Sequence, residues 1–133
     1  MDTLTIIIAV VVFGLIVGIF FFGGMSSGSD SKKKKFLSEL NSLKDKLLSG
    51  EIEPSFAIIK ADTILDKALK LKSKGNSMGE RLKNSKTFFR NDLYNQIWEC
   101  HKIRNRIVHE NIEVSKKEAS NCLTVFYKAI NQY

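Results

Sequence analysis

The chain has 133 residues, 44% of them apolar and 26% charged, and its 21 Lys and Arg outweigh 14 Asp and Glu for a formal net charge of +7. One proline and eight glycines exclude a Pro/Gly-rich disordered protein. All 21 basic residues and 12 of the 14 acidic ones lie from Lys32 onward, a segregation that excludes both an evenly mixed soluble domain and a polytopic transporter.

The first element is Leu4 to Phe22, LTIIIAVVVFGLIVGIFFF, without a single charge. Helical rise carries such a run about 28 Å, close to a hydrocarbon core of about 30 Å. A cleaved signal peptide fits poorly, because Asp2 is the only charge ahead of the run and no small-residue cleavage pattern follows it. Residues 1–23 are therefore expected to be a single-pass transmembrane anchor spanning 4–22. Lys32, Lys33, Lys34 and Lys35 follow closely, which predicts a cell-membrane protein with the N-terminus outside and the C-terminal domain cytoplasmic. The same lysines suit anionic headgroups of the lipid bilayer or RNA. Gly14-x-x-x-Gly18 would let two spans approach closely as a dimer.

Residues 24–31 read as a flexible linker, and 32–50 as a juxtamembrane amphipathic helix with Phe36, Leu40, Leu43 and Leu47 on one stripe. Gly50 ends it, and Pro54 opens a second helix running to about Ser73, with Ile58, Ala61, Ile64, Leu65, Ala68 and Leu69 buried. Gly75 stops that helix. Ser77-x-x-Glu80 is a capping box for a third helix carrying Met78, Leu82 and Phe89. Asn91 or Asp92 caps a fourth, from Leu93 to about His109, and a second box, Ser115-x-x-Glu118, opens the last. No stretch alternates with period two. The fold class expected is all-α: the anchor followed by a bundle of four to five helices, with residues 54–133 as its body.

Cys100 and Cys122 fall on apolar stripes of two helices and read as reduced core residues. Only His101 and His109 could join them as metal ligands, about 12 Å apart along one helix, so neither a metal nor another cofactor is expected. The polar chemistry concentrates in Trp98 to Glu110, WECHKIRNRIVHE. Asn105 and His109 share a helical row that His101 extends one turn back, and Arg104 flanks it. A guanidinium that grips phosphate beside an imidazole that titrates near neutrality suits attack on an RNA phosphodiester. Glu99, Arg106 and Glu110 also line up as a solvated salt-bridge row, which is the plainer reading of that face.

The run Arg104-Asn105-Arg106-Ile107-Val108-His109 resembles the R-N-x-x-x-H signature of HEPN (higher eukaryotes and prokaryotes nucleotide-binding) domains. The likeness covers roughly residues 55–132. It implies a small helical bundle in which two motifs meet across a homodimer as a metal-independent endoribonuclease. By that resemblance Arg104 holds the scissile phosphate, Asn105 orients the site and His109 engages the 2′-hydroxyl. Apart from the resemblance, Lys32–Lys35 and Arg106 are expected to bind RNA or anionic lipid. The competing expectation is a non-catalytic, membrane-tethered adaptor or scaffold that binds a protein partner or anionic lipid.

Overall fold

The computed structural model describes residues 2–23 and 27–133, with side chains described for 2–16 and 28–133. Two compact units divide the chain, residues 1–32 and 33–133.

In the first unit, α1 spans Thr3–Gly23. Its described apolar side chains, from Leu4 to Ile16, are exposed. At helical rise that described apolar stretch extends about 20 Å, against a hydrocarbon core of about 30 Å. Among the described residues, no helix is long and apolar enough to cross a membrane. This corrects the expected transmembrane span at 4–22 and, with it, the single-pass cell-membrane placement and its outside-to-cytoplasm orientation. The lipid role expected of Lys32–Lys35 stays an expectation, as does the Gly14-x-x-x-Gly18 dimer: a Cβ added at Gly14 would meet nothing within 4 Å of this single chain, and the surroundings of Gly18 lie outside the described residues.

The expected linker is shorter than the sequence suggested. Helix α2 already begins at Ser27 and runs to Ser49, with Asp30 in its first turn, where carboxylates favour the helix dipole. The remainder, residues 24–26, lies outside the described residues.

In the second unit, α2 contributes Leu40 and Leu47, both fully buried, and the Lys44 ammonium donates to Thr124 Oγ1 at 2.8 Å. Gly50 ends α2 at φ +81°, a conformation that favours glycine. Pro54 then sits in the first turn of α3 (Pro54–Leu69), the central helix, whose buried stripe meets the last helix, α6 (Lys116–Gln132). Helix α3 stops at Leu69 rather than Ser73, because the N–H groups of Lys72 and Ser73 both turn back to Leu69 O. Helix α4 covers only Met78–Asn84. A 3-10 turn, Lys86–Phe88, follows before Phe89, which is buried outside the helix expected to carry it. Helix α5 spans Asn91–Glu110, starting two residues ahead of Leu93 with Arg90 as its extended cap residue, and ends at Asn111 in the left-handed region (φ 52°).

The core is apolar and continuous, from Leu40 and Leu47 through Ile58, Leu65 and Ile97 to Leu123, Phe126 and Ile130. Cys100 on α5 and Cys122 on α6 are joined by a disulfide, with Cα atoms 5.5 Å apart. The expected reduced pair is thus corrected. The two apolar stripes face each other where α5 packs on α6, which brings both sulfurs to one spot.

Candidate functional site

The central helix carries one carboxylate on its buried face. Asp62 lies one turn after Ile58 and one before Leu65, and it is only 4% exposed. Burying a carboxylate is expensive unless it is paired and hydrogen-bonded. Asp62 has two such partners on α5. Its Oδ1 stands 2.9 Å from His101 Nδ1, and its Oδ2 stands 3.6 Å from Arg104 Nε. The second distance is an ion pair too long for a hydrogen bond, which is why Arg104 Nε is buried without a hydrogen-bond partner among the described residues.

The network closes on itself. Arg104 Nη1 donates to Asn105 Oδ1 at 3.0 Å, and the Asn105 amide nitrogen lies 3.5 Å from His101 Nε2. An ionised carboxylate only accepts, so the hydrogen between the two groups sits on His101 Nδ1; with Asn105 Oδ1 taken by Arg104, the amide nitrogen is the end that faces His101 Nε2, an arrangement that a neutral imidazole completes with its lone pair. Donation then runs in one direction: Arg104 to Asn105, Asn105 to His101, His101 to Asp62, with Arg104 back beside Asp62. The helical row ties this ring together, since His101 and Asn105 are one turn apart and Arg104 leans in from the flank.

The ring borders a cleft of about 560 Å³, shared by α3, the start of α4 and α5 and lined by Asp62, Asp66, Ser77, Gly79, Trp98, His101, Arg104 and Asn105. That volume lies within the range of ordinary ligand sites. Trp98 is half-buried and meets the His101 ring edge-on, with centroids 5.8 Å apart. A second, part-buried ion pair involves Asp66, which also lines the cleft. Arg81 Nε and Nη2 donate to the two carboxylate oxygens of Asp66 at 2.7 and 2.9 Å, and Arg81 Nη1 donates to Gly75 O at 2.7 Å. The bond to Asp66 holds the Arg81 guanidinium above its ordinary pKa, against the desolvation that would lower it. Gly75 is needed there, since a Cβ would come within 2.8 Å of the Arg81 backbone nitrogen.

Of the residues expected at the site, Arg104 and Asn105 come together in this cleft, and His101 joins them as the row predicts. His109 does not line it; it is exposed in the last turn of α5, one turn beyond Asn105 on the same row. Arg106 is exposed and held by Glu110 at 3.0 Å, so the salt-bridge reading of that face describes it. Lys32, Lys34 and Lys35 are exposed, and Lys33 donates to Asn131 O at 2.6 Å. Asp62 is the residue that sequence reasoning missed. The signal was a carboxylate on the apolar stripe of α3, one turn from Ile58.

No protein-family model matches the chain, and neither a curated protein nor a solved structure matches it.

Proposed function

We propose that the helical domain binds single-stranded RNA along the Arg104–Asn105–His109 row and cleaves it without a metal where two copies bring their rows together, as in the HEPN domains that its R-N-x-x-x-H run resembles. The observation that carries this reading is the fixed guanidinium. Arg104 is anchored through Nη1 and beside Asp62, yet its side chain remains 31% exposed at the cleft. Such a group meets a phosphate without first having to be ordered. The net charge of +7 adds a general attraction for a polyanion.

In the proposed reaction the 2′-oxygen attacks phosphorus and its proton passes to His109. The bond to the 5′-oxygen breaks, and that oxygen takes a proton from the second copy's site or from water. Arg104 faces the charge that builds on the phosphorane. The products are a 2′,3′-cyclic phosphate and a 5′-hydroxyl.

The test is incubation of the full chain with labelled oligouridine in EDTA. Cleavage to a cyclic phosphate is expected, with Arg104→Ala and His109→Ala each abolishing it while leaving the thermal melt nearly unchanged. A folded wild type that binds RNA but never cuts it, in EDTA or in magnesium, leaves a binding module only. A wild type that neither binds nor cuts RNA sinks the reading.

A further inference from the structure

The ring contains two groups that present almost no surface to a strand of RNA. Asp62 and His101 line the cleft but are only 4% and 7% exposed, and the Asn105 amide nitrogen lies 3.5 Å from His101 Nε2. Replacing a buried ionic cluster by well-packed apolar side chains is often neutral or stabilising, so the ring is weakly explained as a device for holding the bundle together. Its geometry has another consequence. An amide side chain has two ends that differ in polarity, and Arg104 needs the oxygen end. The lone pair on His101 Nε2 attracts the amide nitrogen and so turns Oδ1 toward Arg104 Nη1. Asp62 in turn fixes the His101 tautomer by taking the Nδ1 hydrogen.

From this we infer that Asp62 and His101 are positioning residues for phosphate recognition: through the Asn105 amide they set the orientation in which the Arg104 guanidinium meets an RNA phosphate. The inference rests on the RNA reading above and extends it to two residues outside the R-N-x-x-x-H run. A long arginine side chain left free would sample many rotamers, and binding would then carry the entropy of ordering it.

His101→Asn separates this role from a structural one. An asparagine amide can still donate to Asp62 where Nδ1–H does, but it presents nothing at the Nε2 position. Binding of fluorescein-labelled oligouridine to the full chain, followed by anisotropy, is expected to weaken about ten-fold, with a melting temperature close to wild type. Asn105→Ala is expected to weaken binding similarly, and His101→Asn in the Asn105→Ala background to add nothing further, because His101 acts through that amide. Additive losses, or wild-type affinity in His101→Asn, overturn the positioning role while leaving the RNA reading intact. Failure of the wild type to bind RNA overturns both. Should His101→Asn not fold, ring-nitrogen NMR of the wild type decides the matter: a hydrogen on Nδ1 with an unprotonated Nε2 whose signal moves on adding oligouridine supports the inference. A hydrogen on Nε2, or an Nε2 signal that does not respond, overturns it.

Discussion

Asp62 and His101 are 39 residues apart in the chain, yet their side chains meet at 2.9 Å across the contact between α3 and α5. Neither side chain reaches solvent to any extent, at 5% and 9% exposure, so each depends on the other for its hydrogen bond. The pair sets the rotation of α5 about its own axis. Once His101 points at Asp62, Arg104 and Asn105 must face the same cleft, and Arg106 must face away. The fold thereby decides which members of a short polar run can act together.

Removing the carboxylate should therefore be severe. Asp62→Ala leaves the His101 Nδ1 hydrogen without an acceptor and the Arg104 guanidinium without its ion-pair partner, and breaking a buried pair in this way costs about 3–5 kcal/mol. Asp62→Asn keeps an acceptor of the same shape but not the charge and should lose much less. Chemical denaturation of the full chain and the two variants checks the order. Equal losses would mean that Asp62 contributes its charge rather than its shape.

The disulfide closes a segment of 22 residues that includes the end of α5 and the start of α6. The chain-entropy relation gives about 3 kcal/mol for a loop of that length. Reduction with a phosphine should thus lower the melting temperature by roughly 15 °C for a unit of this size. Cys122→Ser should reproduce the shift, without further change on reduction. A melt that ignores the reductant would show that the bond contributes nothing to stability.

Much of the local structure was legible because it is written in adjacent residues. Ser115 and Glu118 form the complete reciprocal box, at 3.1 Å from Glu118 N to Ser115 Oγ and 2.9 Å from Ser115 N to Glu118 Oε2. Ser77 accepts from Glu80 N as expected, but the Glu80 carboxylate bonds Asn76 N instead of completing its box. What failed depended on tertiary partners. The Cys100–Cys122 bond follows from where α6 lies against α5, and the Asp62 partnership from where α3 lies against α5. Three of the ring's four members were readable, since His101 and Asn105 share a row on one helix and Arg104 flanks it. Its acceptor sits on another helix, and no spacing rule reaches from residue 62 to residue 101.

The Ser115 box also gives a small, clean prediction. Ser115→Ala removes the acceptor for Glu118 N at an exposed helix start and should cost about 1 kcal/mol. Glu118→Ala removes the reciprocal contact to Ser115 N, and the two losses should not add, because they belong to one motif. Thermal melts of the single and double variants measure this, and strictly additive shifts would contradict the reciprocal geometry.

The last prediction concerns pH. Tyr133 packs between Phe88 and Phe89, at centroid distances of 5.2 and 5.7 Å, and its hydroxyl donates to Leu69 O at 2.9 Å. Burial pushes the phenol above its ordinary pKa, because the phenolate would lose its water; the neighbouring Ser85 and Lys72 act in the opposite sense. A group whose folded pKa is raised binds its proton more tightly in the folded state. Its contribution is therefore fully present below the unfolded value of about 10 and is lost as pH rises through the folded value. Within that window the loss approaches about 1.4 kcal/mol per pH unit at most. Tyr133→Phe cannot ionise and also lacks the bond to Leu69 O, so it should be less stable than wild type by a constant amount below about pH 10 and should then close that gap as pH rises. Denaturation of both proteins across this range gives the difference directly. A gap that stays constant, or one that widens above about pH 10, would show that burial does not hold the phenol in its neutral form.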